Sequence, residues 1–165
     1  MDVALVLHNI RSSHNAGSIF RTADATGVSR IVLVGYTPGP LDQYGTLRPD
    51  FGKVSLGAEQ TVPHERAETF EAAVAKLKTD EYTVVGVELD KNAIPLFQYK
   101  PPSDAKIALV LGNEVNGLSK EELMLCDAVV EIPMKGMKES LNVSVAAGVA
   151  LYGLLRNSAG EAVSL

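Results

Sequence analysis

Cysteine is scarce in this chain of 165 residues: Cys126 is the only one. A single thiol excludes an intramolecular disulfide framework and any cysteine-rich zinc site. Histidine is scarce too, and His8, His14 and His64 do not form a metal-ligand cluster, so no metal is expected. The first residues, Met1–Arg11, carry Asp2 where a secretory signal has a basic segment. Long apolar runs are missing as well. The longest, Val143–Leu155, contains Ser144 and falls short of the roughly 18 residues of a spanning helix. These absences predict a cytoplasmic protein that engages no membrane. Basic charge is also in deficit: 15 Lys and Arg face 20 Asp and Glu, for a net charge of −5. Taken alone, that argues against a nucleic-acid binder. The deficit is local, however. Residues 1–53 carry five basic and four acidic residues, residues 54–131 seven and fourteen, and residues 132–165 three and two.

The rest of the composition is that of an ordinary globule. At 46% apolar and 21% charged residues, the chain can bury a core without covalent staples, and disorder is excluded for most of its length. The reading is one domain over residues 1–157 and a short polar tail, 158–165, that frays. Apolar runs at Val3–Leu7, Ile31–Tyr36, Tyr82–Val87, Ile107–Leu111 and Ala128–Ile132 predict five buried strands. Between them, helical spacing predicts α-helices over Asn15–Thr26, stopped by Gly27, and over Glu68–Lys78. Ser119 with Glu122 three residues on predicts a capping box and a short helix. Thr37–Gly57, rich in Pro and Gly, predicts a long loop with some local helix. Strands alternating with helices predict an α/β fold, a mostly parallel sheet covered by helices on both faces.

The last helix, predicted over Ser140–Arg156, carries apolar residues all round: Leu141, Val143, Val145, Ala146, Val149, Leu151, Leu154 and Leu155. A helix apolar on all sides must be covered on all sides. The expectation is a homodimer formed through this helix.

Three polar segments follow strands, at the sheet edge where open α/β folds place ligands. The first runs from His8 to Val28 and offers Asn15 as a helix cap, Gly17 for close approach, and Arg21. The second, Leu109–Ser119, sets Gly112, Asn113, Glu114 and Gly117 between a strand and a capped helix. The third, Ile132–Tyr152, has Lys135 and Lys138 around Gly136, then Ser140 as a cap, with Asn142 and Ser144 inside an apolar helix. Each also fits a plain structural role: a capped amphipathic helix with a solvated arginine, an ordinary strand-turn-helix joint, and local back-bonding of polar side chains to the helix.

Together, "NAGSIFRTADATGV", "LVLGNEVNGL" and "IPMKGMKESLNVSVAAGVALY" resemble the three motifs of the SpoU/TrmH family of RNA ribose 2′-O-methyltransferases, in the SPOUT superfamily. "KVSLGAE" at Lys53–Glu59 is also similar to the family. The resemblance covers about Val3 to Arg156 and implies a C-terminal trefoil knot and S-adenosylmethionine as cofactor. It places Leu89, Gly112, Asn113, Ile132, Met134, Ser140 and Leu141 at the cofactor. It makes Arg21 the catalytic arginine, with Asn15 orienting the nucleotide and Asn142 holding the hydroxyl or Arg21. Glu114 is left open between orienting Arg21 and acting as base. A guanidinium has no acceptor and stays charged, so Arg21 suits clamping a phosphate better than taking a proton. Arg11, Arg21, Arg30, Arg48, Lys53, Lys135 and Lys138 are candidate RNA contacts, with transfer RNA expected ahead of ribosomal RNA. The competing reading is a non-catalytic RNA-binding or ligand-binding module of the same fold, which suits the acidic pI of about 5.2. A dinucleotide-binding Rossmann enzyme is set aside. It requires G-x-G-x-x-G after the first strand, and "HNIRSSHNAG" stands there.

Overall fold

The structure, a computed structural model, describes residues 1–158. Its centre is a seven-stranded sheet: β1 Asp2–His8, β2 Arg30–Val34, β3 His64–Ala67, β4 Thr83–Val87, β5 Ile94–Pro95, β6 Lys106–Leu111 and β7 Ala128–Glu131. The order is β3-β2-β1-β6-β4-β7-β5, and every pairing is parallel. Alternate residues of β1 feed two cores. Val3, Leu5 and Leu7 join one cluster, Ala4 and Val6 the other. The first cluster is covered by α1 (Ser13–Thr26), α2 (Pro49–Ser55), α3 (Ala58–Thr61) and α6 (Val143–Ser158). The second lies under α4 (Phe70–Thr79) and α5 (Lys120–Leu125). Helices therefore cover both faces, as expected of central strands whose side chains are apolar on both sides.

Five strands were expected, and seven are present among the described residues. The two additional strands are the sheet edges. His64–Ala67 is polar and half exposed, and Ile94–Pro95 is two residues long. Neither is buried on both faces, so neither has the continuous apolar run that marks a central strand; Pro95 is tolerated because an edge needs fewer backbone donors. The loop expected over 37–57 contains α2, whose Phe51 packs edge-on against Phe20 of α1, ring centroids 5.1 Å apart.

Two expected helix caps are wrong, and both errors bear on the site. Helix α1 begins two residues before Asn15. Its cap is Ser12, whose side chain accepts from the Asn15 amide at 3.1 Å. Helix α6 begins at Val143, not Ser140, and Asn142 stands in the capping position, accepting from the Ser144 amide at 2.9 Å. Asn142 is thus at the helix end, not inside an apolar helix. The remaining signals hold: Gly27 closes α1 in the left-handed conformation at φ 69°, and Ser119 and Glu122 form a reciprocal capping box.

One face of α6 is buried through Ala147, Ala150, Leu151 and Leu154. On the other, Val145 is 50% and Tyr152 59% exposed, whereas Val149 packs partly on the core. Among the described residues no helix is long and apolar enough to cross a membrane. The expected tail, 158–165, lies outside the described residues apart from Ser158, the last residue of α6.

Candidate functional site

The C-terminal ends of β4, β6 and β7 open into a cavity of about 220 Å³. Leu89, Gly112, Asn113, Ile132, Met134, Ser140 and Leu141, the residues expected at the cofactor, all line it. Val87, Val143 and Ala146 add apolar wall, and the charged lining side chains are the carboxylates Glu88, Glu114 and Glu139. The parallel register places all three loops at one edge. Every strand runs the same way, so strand ends far apart in sequence meet.

The loop after β6 is shaped by backbone contact. A Cβ on Gly112 would sit 2.6 Å from the Gly117 carbonyl carbon and 2.9 Å from Leu118 Cγ. Gly112, which lines the cavity, therefore leaves room on its other side for the loop's own return stretch. Gly17 is similar. Its missing Cβ makes room for the Phe51 carbonyl and Val54 of α2. Gly117 takes φ 63°, where glycine is unstrained, and its face is closed by Glu88. The Glu88 carboxylate accepts from the Leu118 amide at 3.0 Å and the Leu89 amide at 2.9 Å. Glu88 is a bracing residue that the sequence reading missed. Its only signal is an acid directly after a buried strand, at the ligand edge of the sheet.

A line of hydrogen bonds joins the three polar segments. The Ser144 hydroxyl donates to Asn142 Oδ1 at 2.7 Å. Asn142 Nδ2 donates to Asn15 Oδ1 at 3.3 Å, and Asn15 Nδ2 donates to Glu114 Oε1 at 3.1 Å. Glu114 also accepts from the Arg11 amide at 2.8 Å and the Ser12 amide at 3.1 Å. Partial burial opposes ionisation, but these donors from Arg11, Asn15 and Ser12 outweigh it and hold the Glu114 carboxyl below the usual range. Its bonds to the Arg11 and Ser12 amides and to Asn15 tie the Glu114 carboxylate to the start of α1 as a latch.

Arg21 stands apart from this line. It is exposed, makes no hydrogen bond or ion pair among the described residues, and lies six residues beyond Asn15, about 9 Å along the helix. The expectation that Glu114 orients it is therefore corrected, as is the expectation that Asn142 holds it. Arg11, Lys53, Lys135 and Lys138 are exposed and Arg48 is half-buried. Arg30 is removed from the RNA candidates. It sits at the opposite edge of the sheet, paired with Asp80 at 2.7 Å and Glu65 at 3.7 Å.

The arrangement can be set against known proteins. The family model of the SpoU rRNA methylase family matches residues 2–152. The chain belongs to that family. It is 35% identical over 157 residues to the 23S rRNA (guanosine-2′-O-)-methyltransferase RlmB of Acinetobacter baylyi, which covers 94% of this chain and 60% of the relative. It is also 35% identical over 156 residues to a putative TrmH family tRNA/rRNA methyltransferase of Staphylococcus aureus, covering 94% and 59%. The chain thus spans about three fifths of the length of these curated relatives. Among solved structures, the AdoMet complex of the SpoU methyltransferase AviRb from Streptomyces viridochromogenes superposes with TM-score 0.81 at 28% identity, over 94% of this chain and 60% of that one. A structure described for 2-OH methylation of C/U34 on tRNA gives TM-score 0.80 at 28% identity, over 96% and 97%.

Proposed function

We propose that this SpoU-family chain transfers a methyl group from S-adenosylmethionine to a ribose 2′-hydroxyl in structured RNA, with transfer RNA as the substrate class. The observation that carries the reading is the Ser144–Asn142–Asn15–Glu114 line at the edge of the cavity. It unites the polar residues of all three motifs where a bound cofactor and an incoming nucleotide would meet. Transfer RNA is favoured by the likeness to the tRNA C/U34 methylation structure, matched over 97% of its length.

The lining suits the cofactor. Adenosine needs apolar wall and backbone polar groups, which Leu89, Leu141, Ile132 and the 112–117 turn offer. A sulfonium and an ammonium need anionic surroundings, and the charged lining is carboxylate only. When bound, S-adenosylmethionine supplies an electrophilic methyl group. The protein's task is alignment, which contributes up to ~7–11 kcal/mol in favourable cases. Asn15 and Asn142 would orient the nucleotide. Arg21 would clamp a neighbouring phosphate with its fork and lower the 2′-hydroxyl's pKa by its charge. The proton would leave to that phosphate or to water.

The same reading includes a homodimer in the cytoplasm, formed through the exposed Val145–Tyr152 face of α6. The test is mass spectrometry of ribose methylation in total tRNA and rRNA, with and without the gene, paired with labelled-cofactor transfer by the purified chain. A methyl lost from one tRNA nucleotide is the expected result. A lost rRNA methyl would move the substrate class. RNA and cofactor binding without transfer would establish the non-catalytic module instead.

A further inference from the structure

Tyr36 follows β2 and is 61% exposed although hydrogen bonds hold it and the residues on either side. Its amide donates to Asn9 Oδ1 at 3.3 Å, and its hydroxyl accepts from Asn113 Nδ2 at 2.8 Å. The carbonyls on either side, of Gly35 and Thr37, both accept from Arg66, at 3.0 and 2.8 Å. Thr37 is fully buried, with its hydroxyl 2.7 Å from the Leu7 carbonyl and 3.0 Å from the Ile10 amide. The turn is tight by construction. Gly35 takes φ 62°, and a Cβ there would lie 2.1 Å from Asn9 Oδ1. Side chains from β3 and the end of β1 thus fix the turn that carries Tyr36, and Asn113, in the loop after β6, holds its ring by the hydroxyl.

The hydroxyl contact adds little to the fold, since an exposed side chain buries little area. It does pre-organise a flat apolar face. Asn113, which holds the hydroxyl, lines the cavity, whereas Tyr36 does not. The ring therefore stands outside the cofactor space and beside its mouth. One guanidinium lies beside it: Arg66 of β3 bonds the carbonyls of both chain neighbours of Tyr36. A flat aromatic face held in place at the mouth of a cavity is the platform on which a nucleotide base stacks.

We propose that Tyr36 is a substrate-binding residue that stacks on the base of the nucleotide being methylated. It thereby fixes that nucleotide's ribose at the cavity mouth. The inference rests on the RNA 2′-O-methyltransferase reading, so transfer by the wild-type chain is measured first. If the wild type methylates no RNA, that reading fails and the stacking role fails with it. If it does methylate RNA, Tyr36→Phe, Tyr36→Leu and Tyr36→Ala are compared. Stacking is lost in Leu and Ala but kept in Phe, so the first two should raise the KM for RNA about tenfold or more while Phe stays within about threefold. Calorimetric affinity for S-adenosylhomocysteine and the melting temperature should be unchanged in all three. An RNA with an abasic ribose at the mapped position should bring wild type and Tyr36→Ala to the same rate. Three results overturn the proposal: unchanged KM in Leu and Ala, an equal loss in Phe, or persistence of the Tyr36→Ala defect on the abasic RNA. An equal loss in Phe would reassign Tyr36 to holding Asn113.

Discussion

Replacing Glu114 by Gln separates a latch from a base. In the wild type, Oε1 accepts from the Ser12 amide and Asn15 Nδ2, and Oε2 accepts from the Arg11 amide. A glutamine amide can keep the first two donors on its oxygen. Its NH2 then faces the Arg11 N–H, donor against donor. One charge-assisted bond is lost and two become neutral, a cost of about 1–2 kcal/mol where water can partly replace them. For a chain of this size that lowers the melting temperature by about 2–8 °C. Activity should fall about tenfold by misplacing Asn15, with the pH dependence of the rate unchanged. A general base would behave differently, with a loss of about 10²–10⁴ and no acid limb in the pH–rate profile. Stability against pH gives a second check. The Glu114 carboxyl lies below its ordinary value in the folded chain, so the unfolded chain takes up the proton first as pH falls. The stabilisation is complete above the ordinary glutamate value of about 4.3 and is lost as pH drops through the folded value. Wild type and Glu114→Gln should therefore differ at pH 7 and converge in acid. A loss beyond a hundredfold in rate with an unchanged melting temperature would refute the latch.

Arg21→Ala should leave the fold and cofactor affinity intact while methylation collapses, because the side chain is exposed and touches nothing at the cavity. Arg21→Lys should also be poor, since an ammonium lacks the bidentate fork; near-normal turnover would leave only a generic positive charge. Glu139→Lys reverses a charge on the cavity wall and should weaken S-adenosylmethionine binding about tenfold, equal to 1.4 kcal/mol. Equal calorimetric affinity would mean the carboxylate does not face the cofactor. Gly112→Val should destabilise the whole 112–118 turn by collision with Gly117, visible as a lowered melting temperature along with lost binding. Val145→Glu, on the exposed face of α6, should yield monomers by light scattering; a monomeric, active wild type would end the dimer proposal.

The central strands were legible because β1, β2, β4 and β6 are buried on both faces, and such strands must be apolar without interruption. Local grammar also located the α1 stop at Gly27 and the box at Ser119, since both act within a few residues. The motif residues that line the cavity could be named from the family resemblance. The sequence could not say what engages them. Asn15 reads as a helix cap until Ser12 takes that role and frees its side chain for Glu114, 99 residues away in sequence, and Asn142, 127 away. Glu88, Arg66 and Asn9 are ordinary polar residues along the chain. They become braces only because seven parallel strands end at one edge and bring their loops together. Short-range rules act through backbone propensity and burial, which each residue carries with it. A shared carboxylate or a clamped tyrosine depends on the register between strands, which only the packed sheet sets.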